Sequence, residues 1–306
     1  MPTFSESIPI REGRLPFRGF TDWYKIVGGH TDPGKFPVLV LHGGPGAAHD
    51  YLEPIGALAA TGRQVIFYDQ LGCGLSDHPH DPSLWEVGLF IEEVSAVRAA
   101  LGLENVHILG QSWGGMLGME YALAQPTGLK SLIVANSPAS MTQWVSEANR
   151  LRTELPEGVQ AALTEHEVAG TTDSAEYVDA VNVFYGRHVC RIDPLPDYVK
   201  RSFDQIDADP EVYHTMNGPS EFYVVGKLKG WDITPRLPDI TVPTLVLSGR
   251  YDEATPLIAG TVQRGIPGSE WVLFENSSHM PHAEETARYL EVVDEFLTRI
   301  EKKETS

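Results

Sequence analysis

Short runs of apolar, β-branched residues recur along this chain at Val38 to Leu41, Val65 to Tyr68, Val106 to Leu109, Leu132 to Ala135, Thr244 to Leu247 and Trp271 to Phe274. Runs without polar alternation predict strands covered on both faces. Helical patterns lie between them, over Leu52 to Ala60, Leu84 to Leu101 and Trp113 to Ala124, the last stopped at Gln125-Pro126. Strand and helix taking turns in this way restricts the fold to α/β, a mostly parallel central sheet between helical layers. The rhythm lapses after Pro138, and the segment to about Trp231 holds charge-rich helical patterns with no buried strand. We therefore expect a core in two parts, 1–138 and 232–306, with a helical cap inserted at 139–231. The core resumes through the proline-punctuated stretch Ile233 to Pro243 and ends on an amphipathic helix from about Glu284 to Ile300.

One junction carries chemistry. Gly110-Gln-Ser-Trp-Gly114 fits G-x-S-x-G, a pattern whose glycines let a serine sit on a tight strand-to-helix turn. The five-residue pattern alone is weak evidence. Its context is what the motif requires, with a strand candidate ending at Gly110 and a helix candidate starting at Trp113. The expected architecture is therefore an α/β-hydrolase core, with Ser112 as nucleophile.

A serine hydroxyl needs a base to take its proton, and the base needs a third group to hold its tautomer. In this fold they follow in the order acid, then histidine. Leu245-Val-Leu-Ser-Gly-Arg-Tyr-Asp252 runs from a strand into a loop acid, and Phe274-Glu-Asn-Ser-Ser-His279 from a strand into a loop histidine. Asp252 and His279 are the candidates. His282 competes as base, but it follows Pro281 at a helix start. An oxyanion hole would take one N–H from the residue after the nucleophile, Trp113, and one from the loop His42-Gly-Gly-Pro-Gly46, at Gly44. Phe67 to Ser76 contains only a G-x-G without the further glycine of a nucleotide loop, and reads as a structural turn.

Composition narrows the partners. The formal net charge of −19, with no Lys/Arg cluster, opposes nucleic acid and anionic membranes. No stretch approaches the ~20 apolar residues that span a bilayer. Met1-Pro-Thr-Phe-Ser-Glu-Ser lacks the basic and apolar blocks of a secretory signal, so a cytoplasmic protein is expected. Cys73 and Cys190 have no metal-ligand or C-x-x-C spacing and read as free thiols.

Four motifs, His42-Gly-Gly-Pro-Gly46, Tyr68-Asp-Gln70, Gly110-Gln-Ser-Trp-Gly-Gly115 and Met216-Asn-Gly-Pro-Ser-Glu-Phe222, together resemble, in order, the signatures of the proline iminopeptidase family. That family includes related L-amino-acid amidases, and the resemblance spans essentially the whole chain. It implies removal of an N-terminal residue, often proline, from a small peptide or amino-acid amide, with no cofactor and no metal. It also implies acidic residues that grip the free α-amine, at Glu221 and Glu253. Leu71 departs from the arginine many members carry, and Ser220 from a common asparagine. Without the resemblance, Glu221 reads as a solvated cap acid and Glu253 as a cap for the helix suggested at Ala254-Thr-Pro256. Phe184, Tyr185, Phe222 and Tyr223 are candidates for an apolar slot or for core. Two rival functions share the same motifs: an esterase or amide hydrolase acting on a secondary metabolite, and a hydrolase-fold receptor with negligible turnover.

Overall fold

The computed structural model describes residues 8–304; the N-terminal stretch inspected for a signal, residues 1–7, and the end of the charged tail lie outside them. Among the described residues eight strands form one sheet: β1 (Ile10–Phe17), β2 (Phe20–Val27), β3 (Val38–Leu41), β4 (Val65–Tyr68), β5 (Val106–Gln111), β6 (Leu129–Ala135), β7 (Thr244–Gly249) and β8 (Glu270–Phe274). Their order is β1-β2-β4-β3-β5-β6-β7-β8. β1 and β2 pair antiparallel, as do β2 and β4, and every later neighbour is parallel.

The apolar runs split by strand period into two cores. Leu39, Leu41, Ile66, Ile108 and Val134 join the cluster on one face, while Val38, Val40, Val65, Leu109 and Ile133 join the cluster on the other. Helices cover both faces: α1 (Val87–Ala100) and α2 (Trp113–Leu123) precede β6, and α8 (Pro256–Gly265), α9 (Pro281–Glu284) and α10 (Thr286–Glu304) follow β7. The helix expected over Leu52 to Ala60 is instead a 3₁₀ run from His49 to Thr61 containing Pro54, whose missing N–H cannot enter an α-helical ladder.

Between β6 and β7 the chain forms α3 (Met141–Arg152), α4 (Glu157–Ala169), α5 (Ala175–His188), α6 (Asp197–Ala208) and α7 (Glu211–Met216). This excursion leaves and returns through one neck: Met141 N–H donates to Trp231 O and Ile233 N–H to Ala139 O, at 2.9 Å each. Leu151, Leu163, Tyr177, Phe184 and Phe222 give it a small core of its own.

The β1–β2 hairpin is not anticipated by the apolar runs. β1 reads Ile-Arg-Glu-Gly-Arg-Leu-Pro-Phe and buries only Leu15 and Phe17. Edge strands tolerate this polarity and proline. Arg18 and Gly19 turn the hairpin with φ of 48° and 90°, the left-handed pair a two-residue turn needs, and arginine gives no sequence cue for it.

Behind β4, on the face covered by α1, Asp22 and Glu93 are fully buried beside Tyr68. Glu93 Oε1 accepts from Leu71 N–H at 2.6 Å, but both Asp22 oxygens, Glu93 Oε2 and the Tyr68 hydroxyl have no hydrogen-bond partner among the described residues. Burial, with Asp77 nearby, lifts the Asp22 carboxyl to about 7, and burial with Asp22 nearby lifts Glu93 well above its usual range. The folded chain therefore holds a proton that the unfolded chain releases near pH 4, so this contribution to stability is complete in acid and is lost as pH rises through about 7. Asp22→Asn should consequently gain stability relative to the parent between pH 5 and pH 8. Denaturant midpoints at both pH values measure this, and an unchanged difference would refute it.

Candidate active site

Ser112 stands where β5 ends and α2 begins, at φ 55° and ψ −124°. Backbone contacts hold this strained turn: Ser112 N–H donates to Ala135 O at 2.9 Å, and Ser112 O accepts from Gly115 N–H at 2.9 Å and from the Ser137 hydroxyl at 2.8 Å. The flanking glycines are steric requirements. A Cβ on Gly110 would lie 2.1 Å from Gly114 O, and one on Gly114 would lie 2.0 Å from Leu41 O.

His279, after β8, is 5% exposed, and its Nδ1 meets Asp252 Oδ1 at 2.7 Å. A carboxylate acceptor there places the ring proton on Nδ1 and leaves Nε2 bare. Asp252, after β7, is itself fixed: Ala254 N–H donates to Oδ1 at 2.8 Å and Asn136 Nδ2 to Oδ2 at 2.6 Å. Asn136 carries no motif in the sequence. Its φ of 55° at the end of β6 is what turns it toward Asp252. His282 lies elsewhere, Nε2 against Tyr51 O at 3.1 Å, and burial depresses it to about 3, which keeps it neutral.

The glycine loop after β3 is positioned by the Tyr68-Asp-Gln70 motif. Gln70 N–H donates to His42 Nε2 at 2.9 Å and Gln70 Nε2 to His42 O at 3.0 Å, while Gln70 Oε1 accepts from the Trp113 indole at 2.8 Å. With its Nε2 accepting, His42 donates through Nδ1 to Gly43 O at 3.0 Å. One glutamine thus couples the Gly44 loop to Trp113. A second brace runs through Tyr51, whose hydroxyl accepts from Gly43 N–H at 2.7 Å and donates to Gln111 Oε1 at 2.5 Å. Gln111 Nε2 continues to His279 O at 3.0 Å. Sequence reasoning assigned no role to Tyr51 or Gln111, because neither type is diagnostic and their mutual contact and the reach to His279 O join segments far apart in the chain.

Two cavities meet at Ser112. The larger, about 450 Å³, is lined by Gly44, Tyr51, Ser112, His279, Glu253 and the apolar face of α6. The smaller, about 250 Å³, lies among Pro45, Trp113, Met116, Met141, Trp144 and Leu228. Glu221 lines both. Its Oε1 accepts from the Tyr213 hydroxyl at 2.8 Å, and its N–H donates to the Tyr185 hydroxyl at 3.3 Å. Glu253 is fully buried with neither carboxylate oxygen hydrogen-bonded among the described residues, its Oε1 3.8 Å from His279 Nε2. It caps no helix, since Thr255 holds the N-cap position of α8. Burial raises both carboxyls, and Glu221 and Asp252 raise Glu253 further. Of the aromatic candidates, Tyr185 reaches the larger cavity, whereas Phe184 and Phe222 pack on each other in the helical core with centroids 4.8 Å apart.

Cys73 and Cys190 are both unpaired and buried. Among the described residues, no helix is long and apolar enough to cross a membrane.

Residues 37–286 match the family described as alpha/beta hydrolase fold. Over 295 residues the chain is 41% identical to a proline iminopeptidase of Saccharolobus solfataricus, an alignment covering 96% of this chain and 94% of that relative. The crystal structure of a Mycobacterium smegmatis proline iminopeptidase superposes with a TM-score of 0.89 at 46% identity, covering 96% of this chain and 99% of that one. The crystal structure of VinJ gives a TM-score of 0.91 at 46% identity, covering 95% and 99%.

Proposed function

We propose, from the premise that this chain belongs to the alpha/beta hydrolase fold family and within it to the proline iminopeptidases, that it is a serine aminopeptidase releasing an N-terminal residue, preferably proline, from small peptides or amino-acid amides. Ser112 is the nucleophile, His279 the general base and acid, and Asp252 the group that orients the ring. Ser112 Oγ attacks the scissile carbonyl as His279 Nε2 takes its proton. The N–H groups of Gly44 and Trp113 receive the oxyanion. The tetrahedral adduct then collapses as His279 returns the proton to the leaving nitrogen, and water hydrolyses the acyl-enzyme by the same steps in reverse. The helical segment 139–231 acts as a cap that excludes internal stretches of longer chains.

The observation that carries this reading is Glu253, a buried carboxylate without a hydrogen-bond donor, beside Glu221 and next to Ser112 and His279. A buried anion is costly and a second nearby makes it more so, which is why burial and Glu221 push the Glu253 carboxyl up and favour its protonated form until a cation arrives. A substrate ammonium placed between the two glutamates removes that cost and fixes the adjacent carbonyl against Ser112. The smaller cavity then receives the ring of the N-terminal residue.

The test compares kcat/KM for proline p-nitroanilide, its N-acetylated form and a simple p-nitrophenyl ester. The free amine should win over the acetylated compound by about 100-fold or more, the scale expected when a buried carboxylate is deprived of its charge-assisted hydrogen bond. Equal or faster turnover of the blocked compounds would overturn the proposal.

A further inference from the structure

The two cavities differ in what they can do for the two products. His279, which must protonate the departing nitrogen, lines only the larger one, as does Glu253; Gly44 and Glu221 line both, and Trp113, the second oxyanion donor, lines only the smaller. The departing group therefore faces the larger cavity, one wall of which is a stripe of α6. Val199, Phe203 and Ile206 fall at i, i+4 and i+7, with Val189 and Met280 beside them. Neither cavity has a lysine or arginine among its described lining residues, and the carboxylates that face them are Glu221 and Glu253. The cations on α6 point outward and are engaged: Arg201 with Asp50 at 2.8 Å and Glu53 at 3.0 Å, Lys200 with Asp204 at 2.6 Å.

We propose that the larger cavity selects an apolar, uncharged leaving group, so that the preferred substrates are N-terminal aminoacyl amides of apolar amines and peptides with an apolar second residue whose C-terminal carboxylate lies farther along. Dipeptides with a free carboxylate are poor substrates. The carboxylate of a second residue is only a few bonds from the scissile nitrogen. It would be confined beside an apolar stripe and two acids that already share the substrate's own ammonium, with no lysine or arginine on the described lining to meet it. This inference rests on the assignment of Ser112 and His279 made above and on the amine lying at the two glutamates.

The experiment measures kcat/KM for Pro-Phe amide, Pro-Phe and Pro-Glu amide, with proline p-nitroanilide as the control for the site itself. Pro-Phe amide should exceed both Pro-Phe and Pro-Glu amide by about tenfold or more, the repulsion expected of like charges several Å apart. Ile206→Lys should narrow the gap between Pro-Phe and its amide by severalfold. Equal rates for Pro-Phe and its amide, with the free-amine preference for proline p-nitroanilide intact, would overturn this inference and leave the aminopeptidase reading standing. Loss of that preference would overturn both. The substrate comparison is made on the parent enzyme, so its outcome does not depend on the folding of a variant.

Discussion

Ser112→Ala lowers kcat for proline p-nitroanilide by roughly 10⁴- to 10⁶-fold while leaving the folded enzyme intact. The size follows from losing covalent catalysis altogether: without Oγ, the brace of Asp252, His279 and the loop amides is still assembled but has no nucleophile to activate. Stability should hardly change, because alanine keeps the Cβ and the backbone contacts that impose φ 55° involve Ser112 N and O, not its hydroxyl. Steady-state kinetics beside a thermal melt separate the two effects. A variant that keeps more than a few per cent of the parent rate would show that Ser112 is not the nucleophile.

Glu221→Gln lowers kcat/KM for proline p-nitroanilide by about 100-fold, the upper range for a hydrogen bond to a charged group. Glutamine preserves the shape and still accepts from the Tyr213 hydroxyl through its carbonyl, so what is removed is charge. Turnover of N-acetylated or ester substrates, which have no ammonium to place, should be nearly unaffected. The paired response is the decisive readout: a similar fall for every substrate would mean that Glu221 supports the pocket wall and does not hold the amine. Both glutamates are raised by burial, so binding of a cation should also draw off a proton, and the effect of the substitution should grow toward higher pH.

Much of this was legible in the sequence because the chemistry is local. β3 and β4 match the predicted runs at both ends, and Ser112 follows directly on β5 while Asp252 and His279 lie in the loops just after β7 and β8, strands the sequence announces. What was hidden depends on contacts between distant segments. Asn136 reaches Asp252 across 116 positions, and Gln111 reaches the His279 carbonyl across 168. Asn and Gln are common enough that nothing marks them until the sheet is assembled. The β1–β2 hairpin was hidden for the opposite reason: as an edge it buries little, so it never acquires an apolar run. The 3₁₀ segment over His49 to Thr61 shows a correct periodicity defeated by one proline.

The last turn of α5 bears on how a substrate gets in. His188 O, at the end of that helix, accepts from His279 N–H at 3.2 Å and from Glu253 N–H at 3.3 Å, and its ring Nδ1 meets Tyr251 O at 2.9 Å. A single carbonyl of the helical excursion is thus a shared clasp on the base loop and the acid loop. Swinging α5 away as a rigid body would break the backbone N–H bonds of His279 and Glu253 in the same stroke. Asp252 and Gln111 would still hold His279 by its ring and its carbonyl, so the clasp joins the cap to the two loops through one backbone oxygen and two shared protons.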